Sequence, residues 1–231
     1  MLQNYTGKLF IKEQLTKTVF RFVINLPKNT PLLFTPGQYL LLETNGLYRQ
    51  YSLSNCSCQQ QHPEILVDLK PTGPGSLYLQ NLKVGDTVSF RAPLGLFTLK
   101  KTPQPKYFLA TGVGIAPIKA MILDLYKKSF AAPFQLFWGL ANRNELYLKE
   151  LWLKIHQQNA HFQYTYCISQ QTLVENHCFC GHIQEAILAQ KLLPQSEFYL
   201  CGRPDTVKAL KEFLINNSKI NPKLIFHENF T

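Results

Sequence analysis

Residues 107 to 118, Tyr107-Phe-Leu-Ala-Thr-Gly-Val-Gly-Ile-Ala-Pro-Ile118, read as a strand, a tight turn and the start of a helix. The apolar run breaks at Thr111 into Gly112-Val-Gly114-Ile-Ala-Pro117. It resumes at helical spacing with Ile118, Met121, Ile122 and Leu125. Glycines let the backbone approach a bulky anion, and Pro117 suits a first helical turn, where its missing N–H is not needed. The remaining free N–H groups and the helix dipole attract phosphate, so a dinucleotide pyrophosphate fits, as does an ordinary strand-to-helix turn. Pro117 stands where the dehydrogenase pattern Gly-x-Gly-x-x-Gly has its last glycine.

On either side of this stretch the chain changes character at about residue 100. Before it, short segments recur at Gly7 to Phe10, Thr18 to Ile24, Gln38 to Glu43, Arg49 to Ser54, Ile65 to Lys70 and Thr87 to Arg91. Breakers such as Pro36-Gly37, Asn45-Gly46, Gly73-Pro-Gly75 and Gly85-Asp86 separate them, a spacing that predicts a small antiparallel barrel. After the polar linker Lys100-Lys-Thr-Pro-Gln-Pro-Lys106, strands are expected at 107–110, 134–139, 162–168, 197–201 and 224–227. Helices are expected between them at 117–128, 144–157, 182–191 and 204–217. That alternation predicts a doubly wound parallel sheet with ligands at the carboxyl ends of its strands. The domains are therefore read as 1–100 and 101–231.

With 231 residues, 45% of them hydrophobic, the chain can bury roughly 70% of its unfolded surface, as a globular protein does. The first residues show no leader, and no apolar run reaches membrane-spanning length, so a cytoplasmic protein without membrane insertion is expected. The six cysteines are read as reduced thiols. Lys and Arg (24) outnumber Asp and Glu (14) for a net charge of +10, which favours an acidic partner or a phosphate-bearing ligand. The basic residues are dispersed, which argues against nucleic acid.

A second constellation is Arg49-Gln-Tyr51-Ser52-Leu-Ser54. On a strand Arg49 and Tyr51 share a face, a phosphate-gripping guanidinium beside a ring able to stack on a flat ligand such as a flavin. Gly73-Pro-Gly75-Ser76 then feeds a short helix whose amides can hold the other side of a diphosphate. His177-Cys178-Phe-Cys180-Gly-His182 crowds four metal donors together, but without zinc spacing; no metal is assigned there, and these residues and Cys56-Ser-Cys58 with His62 are read as loop thiols.

With these residues in view, the chain resembles the ferredoxin–NADP reductase superfamily over nearly its whole length. The resemblance rests on five ordered pieces: Arg49-x-Tyr51-Ser52, Gly73-x-Gly75-Ser76, Thr111-Gly112-x-Gly114-x-x-Pro117, Cys201-Gly202-x-Pro204 and the terminal Glu228-Asn-Phe230, which Thr231 extends. It implies an antiparallel FAD-binding barrel followed by a nicotinamide-nucleotide domain, with hydride passing from nicotinamide C4 to flavin N5. Arg49, Gly75 and Ser76 then look like the FAD diphosphate site. Tyr51 looks like the ring on the isoalloxazine, and Ser52 like the hydroxyl near N5, which requires a bend because a regular strand turns it away from Tyr51. Thr111, Gly112, Gly114 and Pro117 look like the nicotinamide nucleotide's pyrophosphate site. Cys201 and Gly202 look like the nicotinamide contact, and Glu228 and Phe230 like the terminal pair near the flavin, with Glu228 a proton relay or electrostatic anchor.

The family's frequent fused iron–sulfur domain has no Cys-x4-Cys-x2-Cys counterpart here, so a bare flavin module is expected. NADPH-dependent relatives carry a Ser-Arg pair where this chain has Ser169-Gln170-Gln171, a difference that leans towards NADH. The expected activity is an FAD-dependent NAD(P)H reductase serving an acidic ferredoxin, flavodoxin or oxygenase component. Two alternatives remain: a reductase using diffusible flavin as substrate, and a flavin- or nucleotide-binding subunit with little activity alone.

Overall fold

A computed structural model describes residues 2–44, 46–170 and 176–230. Asn45, Gln171 and Thr231, each part of a reading above, lie outside the described residues. The chain forms two compact units, one of Met1–Lys100 with Ala116–Lys127, the other of Lys101–Ile115 with Lys128–Thr231.

In the first unit, β1 (Gln3–Gln14), β2 (Val19–Asn25), β3 (Tyr39–Thr44), β4 (Leu47–Ser52), β5 (Glu64–Asp68) and β6 (Thr87–Leu94) form one antiparallel sheet. The order is β4-β3-β6-β1-β2-β5, and a bridge from Leu53 to Ile65 joins its two edges, all but closing a barrel. Alternation decides which face fills it: along β1, Tyr5, Gly7 and Leu9 are buried while Asn4, Thr6 and Lys8 face water. Phe22, Leu40, Leu42 and Phe90 complete the interior. Helix α1 (Pro74–Asn81) caps it with Leu79, and its last carbonyls are met by Lys12, whose Nζ donates to Gln80 O at 2.6 Å and Leu82 O at 2.9 Å. Helix α2 (Ile115–Lys127) begins two residues before the expected start, so Pro117 still lies in its first turn.

In the second unit, β7 (Lys106–Thr111), β8 (Phe134–Leu140), β9 (Phe162–Ile168), β10 (Cys178–Cys180), β11 (Glu197–Gly202) and β12 (Ile225–Asn229) are all parallel, in the order β10-β9-β8-β7-β11-β12. Helices α3 (Lys149–Gln158), α4 (Ile183–Leu188) and α5 (Pro204–Asn216) provide crossovers. The direction of winding reverses between β7 and β11, which opens a crevice at their carboxyl ends.

Three local expectations are corrected. The helix expected over 144–157 is split into a 3-10 turn at Arg143–Glu145 and α3, because Leu148 takes a left-handed φ of 60° that interrupts the helix. Cys178–Cys180 is not a loop but an edge strand on β9, where its N–H and C=O groups complete a ladder. Cys56 and Cys58 are bridged to each other, the Cys58 N–H turning back on Cys56 Sγ at 3.2 Å and bringing the Cα atoms to 5.1 Å. Among the described residues, Cys167, Cys178, Cys180 and Cys201 form no disulfide.

At the amino-terminal ends of β7 and β11, away from the crevice, sits a buried ionic cluster. Glu197 accepts from Lys106 Nζ, Thr102 Oγ1 and Tyr199 Oη, each at 2.7 Å. The side chains of Lys106 and Glu197 are 0% and 4% exposed. Burial alone pushes the Glu197 carboxyl up, but its three donors and the Lys106 charge outweigh this and hold it below the usual carboxylate range. A carboxyl whose folded pKa is depressed stabilises the fold above its unfolded pKa, about 4.3, and loses that contribution as pH falls through the folded value. We expect Lys106→Met, which strands a buried carboxylate, to cost about 3 kcal/mol at pH 7. Urea unfolding at pH 7 and at pH 3 checks this: the gap between wild type and variant should narrow in acid, and equal midpoints at pH 7 would refute the cluster's role.

Candidate functional site

Two groups of the expected residues come together, one in each unit. The first lies where β4 meets the start of α1. Arg49 and Tyr51 sit one pleat apart on β4, opposite Leu42 and Leu40 of β3. Both lean on Gly75, where a Cβ would stand 2.5 Å from Tyr51 Oη and 3.0 Å from Arg49 Cγ. Only a residue without a side chain leaves the α1 amides open beside the guanidinium. Pro74 at N1 has no N–H to lose, and helix geometry leaves the N–H groups of Gly75 and Ser76 without intrahelical acceptors. The Ser76 hydroxyl is already committed, accepting from Gly73 N at 3.2 Å and donating to Pro71 O at 3.1 Å, so its part of a diphosphate site is its amide. Tyr51 is half-buried against the barrel core, and burial, partly opposed by Arg49, raises its phenol pKa and keeps the hydroxyl protonated. The β3–β4 ladder runs without a register shift to Tyr39↔Ser52, and Ser52 is buried at its end.

The second group lines the crevice between β7 and β11. Thr111 ends β7 and Gly112–Gly114 form a 3-10 turn, with Gly112 at a φ of +51° and open space where its Cβ would be. Gly114 presses on the opposite strand: a Cβ there would run into the Cys201 carbonyl oxygen and stand 2.8 Å from Gly202 Cα. Gly202 has a φ of +158°, and a Cβ on it would collide with Thr111 Oγ1. Thr111 Oγ1 is buried and, among the described residues, has no hydrogen-bond partner, a polar atom held ready for a ligand group. Cys201 pairs in register with Glu228 of β12, and the Phe230 N–H donates to Gly202 O at 2.9 Å, which brings the terminal residues to the same edge. Burial, reinforced by Glu228, raises the Cys201 thiol well above its ordinary pKa. It stays S–H at neutral pH, a soft contact surface rather than a nucleophile. Pro117 lies on α2, buried in the first unit.

Sequence reasoning missed Trp138, whose Nε1–H donates to Gly112 O at 3.0 Å and pins the turn from β8. It stands 0% exposed in edge-to-face contact with Tyr147, centroids 4.7 Å apart. A tryptophan inside a mostly apolar strand was the available signal, since a buried indole N–H requires an acceptor. Both groups fit the ligands expected of them: one pairs a guanidinium with helix-start amides beside a stacking ring, the other surrounds a glycine turn with an orphaned hydroxyl. Among the described residues no three His, Cys, Asp or Glu side chains gather as a metal site, and no helix is long and apolar enough to cross a membrane.

Residues 6–99 match the oxidoreductase FAD-binding domain family, and residues 108–212 the oxidoreductase NAD-binding domain family. The chain is 28% identical over 98% of its length, and 68% of the relative's, to the toluate 1,2-dioxygenase electron transfer component of Pseudomonas putida. It is 29% identical, over 99% of its own length and 66% of the relative's, to the phenol 2-monooxygenase reductase component of a Pseudomonas species. The chain thus spans about two thirds of the length of these curated relatives. Among solved structures, the FAD/NAD-binding domain of nitric oxide dioxygenase from Vibrio cholerae superposes with a TM-score of 0.84 at 25% identity, covering 98% of both chains. A barrel matching one domain family and a parallel sheet matching the other, in this order, mean that the chain belongs to the ferredoxin–NADP reductase superfamily of FAD- and NAD-binding oxidoreductases.

Proposed function

We propose that this chain is an FAD-dependent NADH reductase that passes electrons to an acidic protein acceptor of the oxygenase-component class, with residues 1–100 holding FAD and 101–231 the nicotinamide nucleotide. The observation that carries the proposal is the pair of glycine-lined cradles, Arg49/Tyr51/Gly75 and Thr111–Gly114/Cys201–Gly202. A module that only bound flavin would need the first alone. Bound FAD would supply the redox centre, able to take one hydride, with its electron pair, from a nicotinamide and to release the two electrons together or singly.

The chain's own residues do the rest. Arg49 and the α1 amides at Gly75 and Ser76 neutralise the diphosphate, and the protonated Tyr51 ring offers a stacking face. Ser52 ends β4 buried, and because the unshifted ladder shows none of the bend that a place near N5 requires, it is given no contact with the flavin. The Gly112–Gly114 turn and Thr111 Oγ1 hold the nucleotide's pyrophosphate, with Pro117 shaping the turn that follows. Gly202 leaves room for the nicotinamide, and Cys201 offers it an uncharged, water-excluding contact. Glu228 fixes a negative charge beside Cys201, and Phe230 closes the edge.

The acceptor class is supported by the relatives, one named as a dioxygenase electron transfer component and the other as a monooxygenase reductase component, and by a +10 charge that would steer an acidic partner. The preference for NADH rests on Ser169-Gln170 after β9, which offers no charge to a 2′-phosphate. The nucleotide itself is a cytoplasmic reductant, and the cytoplasm is the proposed location.

Without oxygen, the flavin absorbance of the purified protein should bleach with NADH faster than with NADPH. If neither nucleotide bleaches flavin, even after FAD is added back, the reading is wrong. Bleaching only of added, dissociable flavin would favour the diffusible-flavin alternative. In the same assay Cys201→Ala should slow single-turnover reduction about tenfold with FAD content unchanged, because the contact orients rather than reacts.

A further inference from the structure

Neither cradle uses the most heavily bonded ion pair of the first unit. Glu64, at the start of β5, is 5% exposed, and its carboxylate is fully engaged. It accepts from Arg21 Nε at 2.8 Å, from Ser54 Oγ at 2.8 Å and from Lys119 Nζ. Lys119, itself 5% exposed, donates also to the Ser54 main-chain carbonyl at 3.1 Å. Ser54 is 0% exposed and returns its N–H to Glu64 O at 2.8 Å, while the next residue, Asn55, accepts from Glu64 N at 3.0 Å. Burial pushes the Glu64 carboxyl up, but Lys119 and Arg21 together hold it below its ordinary value.

The placement of this network in the chain gives it meaning. Ser54 lies two residues past Ser52, at the end of the segment that carries Arg49 and Tyr51. Lys119 lies in the second turn of α2, a helix that continues without a break from the Gly112–Gly114 turn. Five residues of helix span about 7.5 Å, so the ammonium is a short rigid lever from Gly114. Burying two charges is costly, and an apolar pair of similar volume would stabilise the barrel equally or better. What the ionic arrangement adds is direction: a cation bonded to one named carbonyl and one named carboxylate admits a single axial and rotational setting of the helix. Two other contacts of α2 with the barrel differ in kind. Asp124 accepts from Ser57 Oγ, and the Met121 methyl lies over Gly37. Neither touches the segment that carries Arg49, Tyr51 and Ser52.

We propose that Lys119 is a positioning residue for hydride transfer, its buried ammonium fixing the helix that begins at the nucleotide turn to the strand segment that carries the flavin contacts. The proposal rests on the reductase reading above. Lys119 touches neither ligand; it acts through Ser54 and through the start of α2.

The test is Lys119→Met, which keeps the aliphatic stem and leaves Glu64 paired with Arg21 and Ser54, so that no buried carboxylate is stranded. Anaerobic single-turnover reduction of the bound flavin by NADH is followed at saturating and subsaturating nucleotide. The limiting rate constant should fall about tenfold, with FAD content unchanged and the half-saturating NADH concentration changed less than twofold. Lys119→Arg, which restores a cation, should recover most of the loss. Ser57→Ala, at the other end of the helix, should leave the rate at the wild-type value. A limiting rate constant within twofold of wild type in a folded Lys119→Met protein would overturn the proposal and leave Lys119 a purely structural residue. Should that variant not fold, Lys119→Gln carries the same readouts, because its shorter, neutral amide fills the site without a cation that bridges the Ser54 carbonyl and Glu64. Wild-type flavin that neither nucleotide bleaches would defeat the reductase reading itself, an outcome distinct from a wild-type rate in the variant.

Discussion

Gly114→Ala is expected to reduce nicotinamide-dependent flavin reduction by about a hundredfold or more while FAD remains bound. The added methyl would enter the Cys201 carbonyl, 2.6 Å from its carbon and 2.8 Å from Gly202 Cα. These are backbone atoms of β11, a central strand hydrogen-bonded on both sides, so no rotamer change relieves the contact. Overpacking of this kind costs about 1–3 kcal/mol, and relief must come from moving the glycine turn. A displacement of about 1 Å in a residue that positions a reacting group is worth about a hundredfold in rate. Arg49, Tyr51 and Gly75 belong to the other unit, so flavin retention should not change. Gly112→Ala is the informative contrast. Its Cβ would meet nothing within 4 Å, but its φ of +51° costs an L-residue about 1–2 kcal/mol. That variant should fold and lose less activity. Stopped-flow reduction by NADH decides the matter, and a wild-type rate in Gly114→Ala would refute the assignment of the crevice to the nicotinamide nucleotide.

Arg49→Ala should weaken FAD binding about a hundredfold. Hydrogen bonds to charged groups contribute about 1.5–3 kcal/mol each, and loss of about 3 kcal/mol corresponds to two orders of magnitude in affinity. Within the barrel, the guanidinium donates to the carbonyl of its chain neighbour Tyr48, at 3.0 Å, a local bond whose removal should leave the fold intact. The protein should then purify nearly colourless and bleach only when FAD is supplied in excess. Arg91, stacked 4.5 Å over the Tyr48 ring on β6, is the control, since it is a second arginine beside the same strand but outside the cradle. Arg91→Ala should retain its flavin. Unchanged flavin content in Arg49→Ala, measured by absorbance after gel filtration, would remove Arg49 from the diphosphate site.

Much of this arrangement is legible in the sequence, because it is written in short-range patterns. Alternation along Tyr5, Gly7 and Leu9 is enough to make β1 a barrel strand. The helical spacing after Pro117 and the proline at Pro204 mark α2 and α5 to within two residues. Where the expectations slip, the cause is local in one case and a tertiary pairing in the other. Leu148 in a left-handed conformation splits a helix that its neighbours' periodicity predicts as one. Cys178–Cys180 is too short to show a strand period and is a strand only because β9 lies beside it.

The strand–turn–helix at 107–118, the barrel spacing before residue 100 and the order of the five motifs therefore settled the architecture, since each depends on the conformational preferences of adjacent residues. Pairing between distant residues is a different matter. No pattern of spacing joins Lys119 to Glu64, Lys106 to Glu197, Trp138 Nε1 to the Gly112 carbonyl, or Gly114 to Cys201. The turning of the Ser76 hydroxyl back onto Gly73 and the grouping of α2 with the barrel are likewise visible only once the chain is folded. Such contacts are decided by which buried polar groups must find partners after the cores have closed, and that requirement depends on every residue around them rather than on the ones beside them in the chain.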